Sequence, residues 1–254
     1  MNNSYQEKLN FIINDYQSGS REIAKNIFGF VRDFIDNEKT DNWQNELNQY
    51  LLEIALHKKT MAIIKNQILQ IQNFLSICHS KSDFLQKLQN FEIDFQDSIN
   101  KIIKNLQLEI FNQNDIYKII TCSYSSTIRD VLLHFSNICR IDIYLIKSLF
   151  KNKNVAEKYI NDFVNSPIKV HTLELSNIES VIRELDFGII GSDAVVTDKY
   201  IINGFPSLLL AKELKKVNLP FYVVSEKLKF TNEIEIEDGF DKIPINLITK
   251  IITD

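Results

Sequence analysis

Gly191–Phe230 reads GSDAVVTDKYIINGFPSLLLAKELKKVNLPFYVVSEKLKF. The apolar run Phe187–Ile190 comes just before it, and a second, Phe221–Val224, lies near its end, with a helical pattern at Ser207–Lys216 between them. Strand, helix and strand joined by short turns form a crossover unit. Such units build parallel sheets covered on both faces. Working outward, further strands are expected at Tyr117–Thr121, Ile141–Ile146, Ile168–Leu173 and Ala194–Val196, and helices at Ser126–Ile138, Val155–Val164 and Asn177–Leu185. In such a sheet, ligands bind beyond the carboxyl ends of the strands, at the switch point. Residues directly after strands therefore carry the most weight.

Upstream of Asn112 the pattern changes. Phe84, Leu88, Phe91, Phe95, Ile99, Ile102 and Leu106 recur at steps of three and four, which keeps them on one face of a helix. The same spacing predicts helices over Gln6–Asp15, Ser20–Ile35, Trp43–Leu56 and Lys59–Cys78. The expected fold is α/β: an N-terminal helical domain over 1–112, then a Rossmann-like parallel sheet with helices on both faces over 113–254.

Apolar residues make up 44% of the 254 residues and charged residues 24%, ordinary values for a globular chain. The net charge of −4 and the interleaving of Lys with Asp and Glu leave no basic stripe, so direct nucleic-acid binding is not expected. Cys78, Cys122 and Cys139 form no CxxC pair, and no two of the four histidines have metal-ligand spacing, so neither a metal nor a cofactor is implied. The polar start MNNSYQEKLN does not read as a signal peptide, and no apolar run approaches the ~20 residues a spanning helix needs. A cytoplasmic protein with no membrane partner is expected.

Two places could carry chemistry. Gly191-Ser192-Asp193 follows a strand, where glycine permits a tight turn and an Asp can move protons if burial tunes it. A turn Asp or helix cap is the alternative reading. Cys122-Ser123-Tyr124-Ser125-Ser126-Thr127 lies between a strand and a helix, where hydroxyls and helix-start amides suit an anion, or an ordinary N-cap.

Beyond these patterns, Gly191-Ser192-Asp193-Ala194-Val195, Asn203-Gly204, Pro220-Phe221-Tyr222-Val223-Val224, Glu226 and Lys229-Phe230 occur in one order. That order resembles the family joining the alpha, beta and delta subunits of translation initiation factor 2B to sugar-phosphate isomerases. Phe240-Asp241, Pro244, Leu247-Ile248-Thr249 and Ile251-Ile252-Thr253-Asp254 resemble the family's closing segment, and Ser18-Gly19-Ser20 and Thr60-Met61-Ala62 its early ones. The resemblance implies a dimer, homodimeric or formed with related subunits. It also implies a ligand that is a phosphorylated sugar or nucleotide, and initiation factor 2 as a partner. The chain ends at Asp254, where relatives continue into a further helix, so an altered dimer edge is expected.

The isomerases of the family transfer a proton with a Cys and an Asp. The Asp matches Asp193; the Cys position falls on Ser123, one place from Cys122. The family Asn-Lys pair is Asn203-Gly204, and two arginines are missing where Ser18 and the Lys147-Ser148-Leu149-Phe150 segment stand. The resemblance leaves Gly19, Lys58, Ser123, Ser125, Ser126, Thr127, Asn203 and Lys229 as the ligand-binding set. It thus implies a non-catalytic regulatory or binding subunit with a relic sugar-phosphate or nucleotide pocket. The alternative is an aldose-ketose isomerase acting on a phosphorylated ribose through Asp193 and a shifted Cys122.

Overall fold

The computed structural model describes residues 4–15, 18–111, 114–150, 153–154 and 156–254. Five helices come first: α1 (Ser4–Asn14), α2 (Ser20–Asn37), α3 (Trp43–His57), α4 (Ala62–Ile77) and α5 (Lys81–Glu109). The chain divides into two compact units, 1–97 and 98–254, with the division falling inside α5. The sequence boundary at 112 instead marks the change of element type, between the end of α5 and the first strand.

In the first unit, α2 buries Ile23, Ile27, Phe28, Phe30, Val31 and Phe34. Phe28 meets Phe91 and Phe95 of α5 edge-on or tilted, with ring centroids 5.3 and 5.6 Å apart. The α5 stripe read from sequence is therefore core: Phe84, Leu88 and Phe95 are buried. Each such side chain stabilises by roughly 1.5–3 kcal/mol through removal from water.

The second unit continues with β1 (Ile116–Thr121), α6 (Ser126–Phe135), β2 (Arg140–Ile146), β3 (Leu149–Phe150), β4 (Lys153–Asn154), α7 (Ala156–Phe163), β5 (Lys169–Leu173), β6 (Phe187–Ile190), β7 (Ala194–Val196), β8 (Tyr200–Gly204), α8 (Ser207–Lys216), β9 (Phe221–Val224), β10 (Phe230–Thr231), β11 (Phe240–Pro244) and β12 (Lys250–Ile252). Six strands form a wholly parallel sheet in the order β12-β9-β6-β1-β2-β5. Numbered by their sequence within this sheet, they run 3-2-1-4-5-6 from the β5 edge, the doubly wound Rossmann order. The order reverses between β1 and β6, so the switch point lies at their carboxyl ends.

Period-two alternation explains both faces. Tyr117, Ile119, Ile143, Leu145, Phe187 and Ile189 pack with Ile102 and Leu106 of α5, with α6 and with Tyr159 and Phe163 of α7. Ile120, Cys122, Ile146, Ile190 and Val223 pack on the other side with Leu210, Ala211 and Leu214 of α8. A side chain at Gly188 would crowd this layer, because a Cβ would meet Leu214 at 2.3 Å and Phe221 at 3.0 Å.

Two features differ from the sequence expectation. Ala194–Val196 joins a second, four-stranded sheet, β10-β7-β8-β11, whose β7–β8 and β8–β11 pairs are antiparallel. The helix expected at Asn177–Leu185 is a pair of 3-10 turns, Leu175–Ser180 and Ile182–Glu184. The first residue of the helix expected at Val155–Val164 lies outside the described residues.

Candidate functional site at the carboxyl ends of the sheet

The loop after β1 is held on three sides. Ser125 caps α6, its Oγ accepting from the Ile128 amide at 3.3 Å. The Ser125 amide donates to Tyr159 Oη of α7 at 3.0 Å. Gly191 lies directly beneath, since a Cβ there would come within 2.4 Å of Ser125 Oγ. Ser123 adopts φ 61°, a left-handed conformation that costs a non-glycine residue about 1–2 kcal/mol. Its Oγ lies where a Cβ on Gly204 would approach to 2.7 Å. A side chain at Gly204 would require the Ser123 hydroxyl to shift.

Cys122 points into the apolar layer beneath α8. Its Sγ is 3.3 Å from Ser207 Oγ, the first residue of α8. Ser207 Oγ donates to the Gly204 carbonyl at 2.6 Å and accepts from Asn203 Nδ2 at 2.8 Å. Burial pushes the Cys122 thiol up to about 12, opposed by the Ser207 hydrogen bond. A thiol so protonated at neutral pH is a poor nucleophile. A shallow notch beside it, without room for a water molecule, is walled by Thr121, Cys122, Ser123 and Tyr159 among others, and Asp193 is not one of its walls.

Asp193 enters from the turn after β6, its amide bonded to the Ile202 carbonyl of β8 at 2.8 Å. It keeps partial solvent access. Its carboxyl is pushed up to about 6, chiefly by burial, with Lys229 opposing the shift and Glu226 adding to it. Glu226 and Lys229 follow β9 and are 1% and 3% exposed, with Lys229 Nζ 2.9 Å from Glu226 Oε2. Glu226 Oε1 accepts from Thr127 Oγ1 of α6 at 2.8 Å. Ser192 Oγ, next to Asp193, bonds Ser225 Oγ at 2.7 Å. The ends of β1, β6 and β9 are thus stitched together by side chains.

A model of the initiation factor 2 subunit family matches residues 16–239. The chain belongs to the initiation factor 2 subunit family. An eIF-2B subunit 2-like protein of Pyrococcus abyssi is 21% identical over 236 residues, 82% of this chain and 83% of that one. Its counterpart in Pyrococcus furiosus is 24% identical over 196 residues, 74% and 64% of the two chains. Among solved structures, the translation initiation factor eIF-2B of Pyrococcus horikoshii superposes with a TM-score of 0.84 at 18% identity, covering 100% of this chain and 96% of the other. A chain of the tetrameric eIF2B-beta2-delta2 complex from C. thermophilum gives 0.76 at 14% identity, covering 98% and 88%. At these identities the superpositions speak for the fold alone.

Within this family framework, Cys122, Ser123, Ser125, Asp193 and Lys229 lie on the turns after β1, β6 and β9, Ser126 and Thr127 open α6, and Asn203 sits near the end of β8, all in the second unit. Gly19 and Lys58 lie in the first. Gly19 is the N-cap residue of α2. Lys58 is buried, and its Nζ donates to the carbonyls of Ile13 at 3.1 Å and Asp15 at 2.6 Å, closing the end of α1. Sequence reasoning passed over Ser207 and Tyr159 and valued Glu226 only as part of a motif. No local signal marks a serine or tyrosine as the partner of a residue 85 or 34 positions away. Among the described residues, no group of three or more His, Cys, Asp and Glu could hold a metal, and no helix is long and apolar enough to cross a membrane.

Proposed function

We propose that this chain is a non-catalytic, eIF2B-like regulatory or binding subunit, working in the cytoplasm in association with a second copy or with related subunits. It keeps a relic pocket for a sugar-phosphate- or nucleotide-like ligand and acts on translation through initiation factor 2. The observation that carries this reading is the placement of Cys122: a buried thiol hydrogen-bonded to Ser207, one residue from the position where the family's isomerases carry their Cys. The position itself is Ser123, whose hydroxyl is far less acidic than a thiol. Lys229, the cation that remains on this side for a phosphate, is engaged by Glu226. The beta2-delta2 complex supports association among chains of this fold.

One observation favours the isomerase reading. A carboxyl pushed up to about 6, as in Asp193, is suited to proton transfer near neutral pH. An assay of the purified chain on ribose-1,5-bisphosphate and methylthioribose-1-phosphate separates the two. The non-catalytic reading predicts no turnover above background. Turnover that disappears in Asp193→Asn would establish the isomerase instead. Co-purification with the alpha subunit of initiation factor 2 tests the partner, and its absence at micromolar concentrations would remove the translational role.

A further inference from the structure

The main sheet ends at β5, whose one strand partner among the described residues is β2. The Leu173 carbonyl accepts from the Lys147 amide at 2.9 Å, on the β2 side. Backbone groups alternate along a strand, so those of Val170 and Thr172 point away from β2. Among the described residues no backbone group bonds to them. Such an edge is a template for another strand. The helix α7 adds an apolar margin. Ala156, Tyr159 and Phe163 bury its inner face. One flank turns towards the loop before α6: Lys158 Nζ lies 4.9 Å from the centroid of the Tyr124 ring, and Asp162 accepts from Tyr124 Oη at 2.9 Å. Helical spacing puts Ile160 and Val164 on the other flank, towards the sheet edge, and they are 38% and 73% exposed. Val170 is half-buried in the same layer as α7.

We infer that this edge is a docking surface for a second copy of the chain, in which β5 pairs antiparallel with the partner's β5 about a twofold axis at His171. The inference rests on the association proposed above and names its surface. Self-complementarity selects the occupant. With His171 on the axis, Val170 stands opposite the partner's Thr172. Both present outward N–H and C=O groups, which is the condition for a hydrogen-bonded pair. Lys169 opens β5 and Glu174 follows it, so antiparallel pairing sets each lysine at the end where the partner's glutamate stands. The axis is perpendicular to the sheet. Both α7 helices therefore lie on one face, and Ile160 and Val164 approach those of the partner, which removes them from water.

The test is sedimentation of the full chain over a range of concentrations, with two variants. The wild type should dimerise reversibly. Val164→Glu changes an exposed position and should weaken dimerisation about tenfold or more. His171→Cys places two thiols across the axis, where opposed residues of this kind have Cα atoms about 4.5 Å apart, within disulfide range. On mild oxidation it should give a covalent dimer, linked at position 171 by peptide mapping, that the wild type does not form. A wild-type dimer left unchanged by Val164→Glu, or one that gives no cross-link at position 171, would overturn the inference and leave the association reading intact through another surface. A wild type that stays monomeric at high-micromolar concentration would overturn association with a second copy itself.

Discussion

The loop after β1 and the turns after β6 and β9 meet at one end of the sheet, yet they are built by different rules. The first loop is neutral and rich in hydroxyls, and its polar groups hold the backbone: Ser125 caps α6, Tyr159 grips Ser125, and Ser207 anchors Cys122. The second region is charged and buried, with Glu226 and Lys229 nearly inaccessible and Asp193 unmatched beside them. Neutral polar groups can be satisfied one bond at a time, so that loop is complete as it stands. Here two carboxylates, Asp193 and Glu226, act on the ammonium of Lys229, which pairs with Glu226 and opposes the upward shift of Asp193.

The sharpest way to break this contrast is Lys229→Ala. It leaves Glu226 buried without its cation and should cost about 3–5 kcal/mol in urea unfolding. A loss below 1 kcal/mol would mean the pair is solvated and the two regions are alike. Next comes Gly191→Ala, which drives a Cβ into Ser125 and should cost about 1–3 kcal/mol by overpacking. An unchanged stability would show that the first loop is loose.

Asp193→Asn tests the unmatched charge through pH. The folded-state carboxyl lies at about 6 against an ordinary 3.8, so the folded protein disfavours its ionised form. The penalty is full above about pH 6 and fades as pH falls to the ordinary value. The variant should therefore gain on the order of 1–2 kcal/mol at pH 7.5, allowing for residual solvent access, and nothing near pH 3.5. A gain that grows as pH falls would reverse the sign and refute the assignment. The smallest effect belongs to Ser123→Gly, which relieves the left-handed backbone and should stabilise by about 0.5–1 kcal/mol in the same unfolding assay.

The same contrast sets what was legible in the sequence. Continuous apolar runs marked Tyr117–Thr121, Ile141–Ile146, Phe187–Ile190 and Phe221–Val224 as buried parallel strands, each found within a residue of its reading. The α5 stripe was legible because one face repeats over many turns. β8 and β11 escaped: Tyr200–Gly204 carries Asn203 and Gly204, and Phe240–Pro244 reads Phe-Asp-Lys-Ile-Pro, too short and mixed to announce a strand. The pairing of β8 with β7 also drew Ala194–Val196 out of the main sheet. Asp193 could be singled out by its place after a strand. Its environment could not, because Thr127 and Glu226 are 99 residues apart and meet only through the fold. The engagement of Cys122 by Ser207 was hidden for the same reason.

Cys122 decides between the non-catalytic and the isomerase readings. Alkylation by iodoacetamide, followed by peptide mapping over pH 6–9, measures its reactivity in the folded protein. A thiol pushed up to about 12 and shielded by α8 should be modified more than about 100-fold slower than the same cysteine in the unfolded chain, with no rise until unfolding begins. Alkylation at pH 7 as fast as in the unfolded chain, slowed by a sugar phosphate, would show an accessible and ionised nucleophile facing the pocket and would contradict the non-catalytic reading.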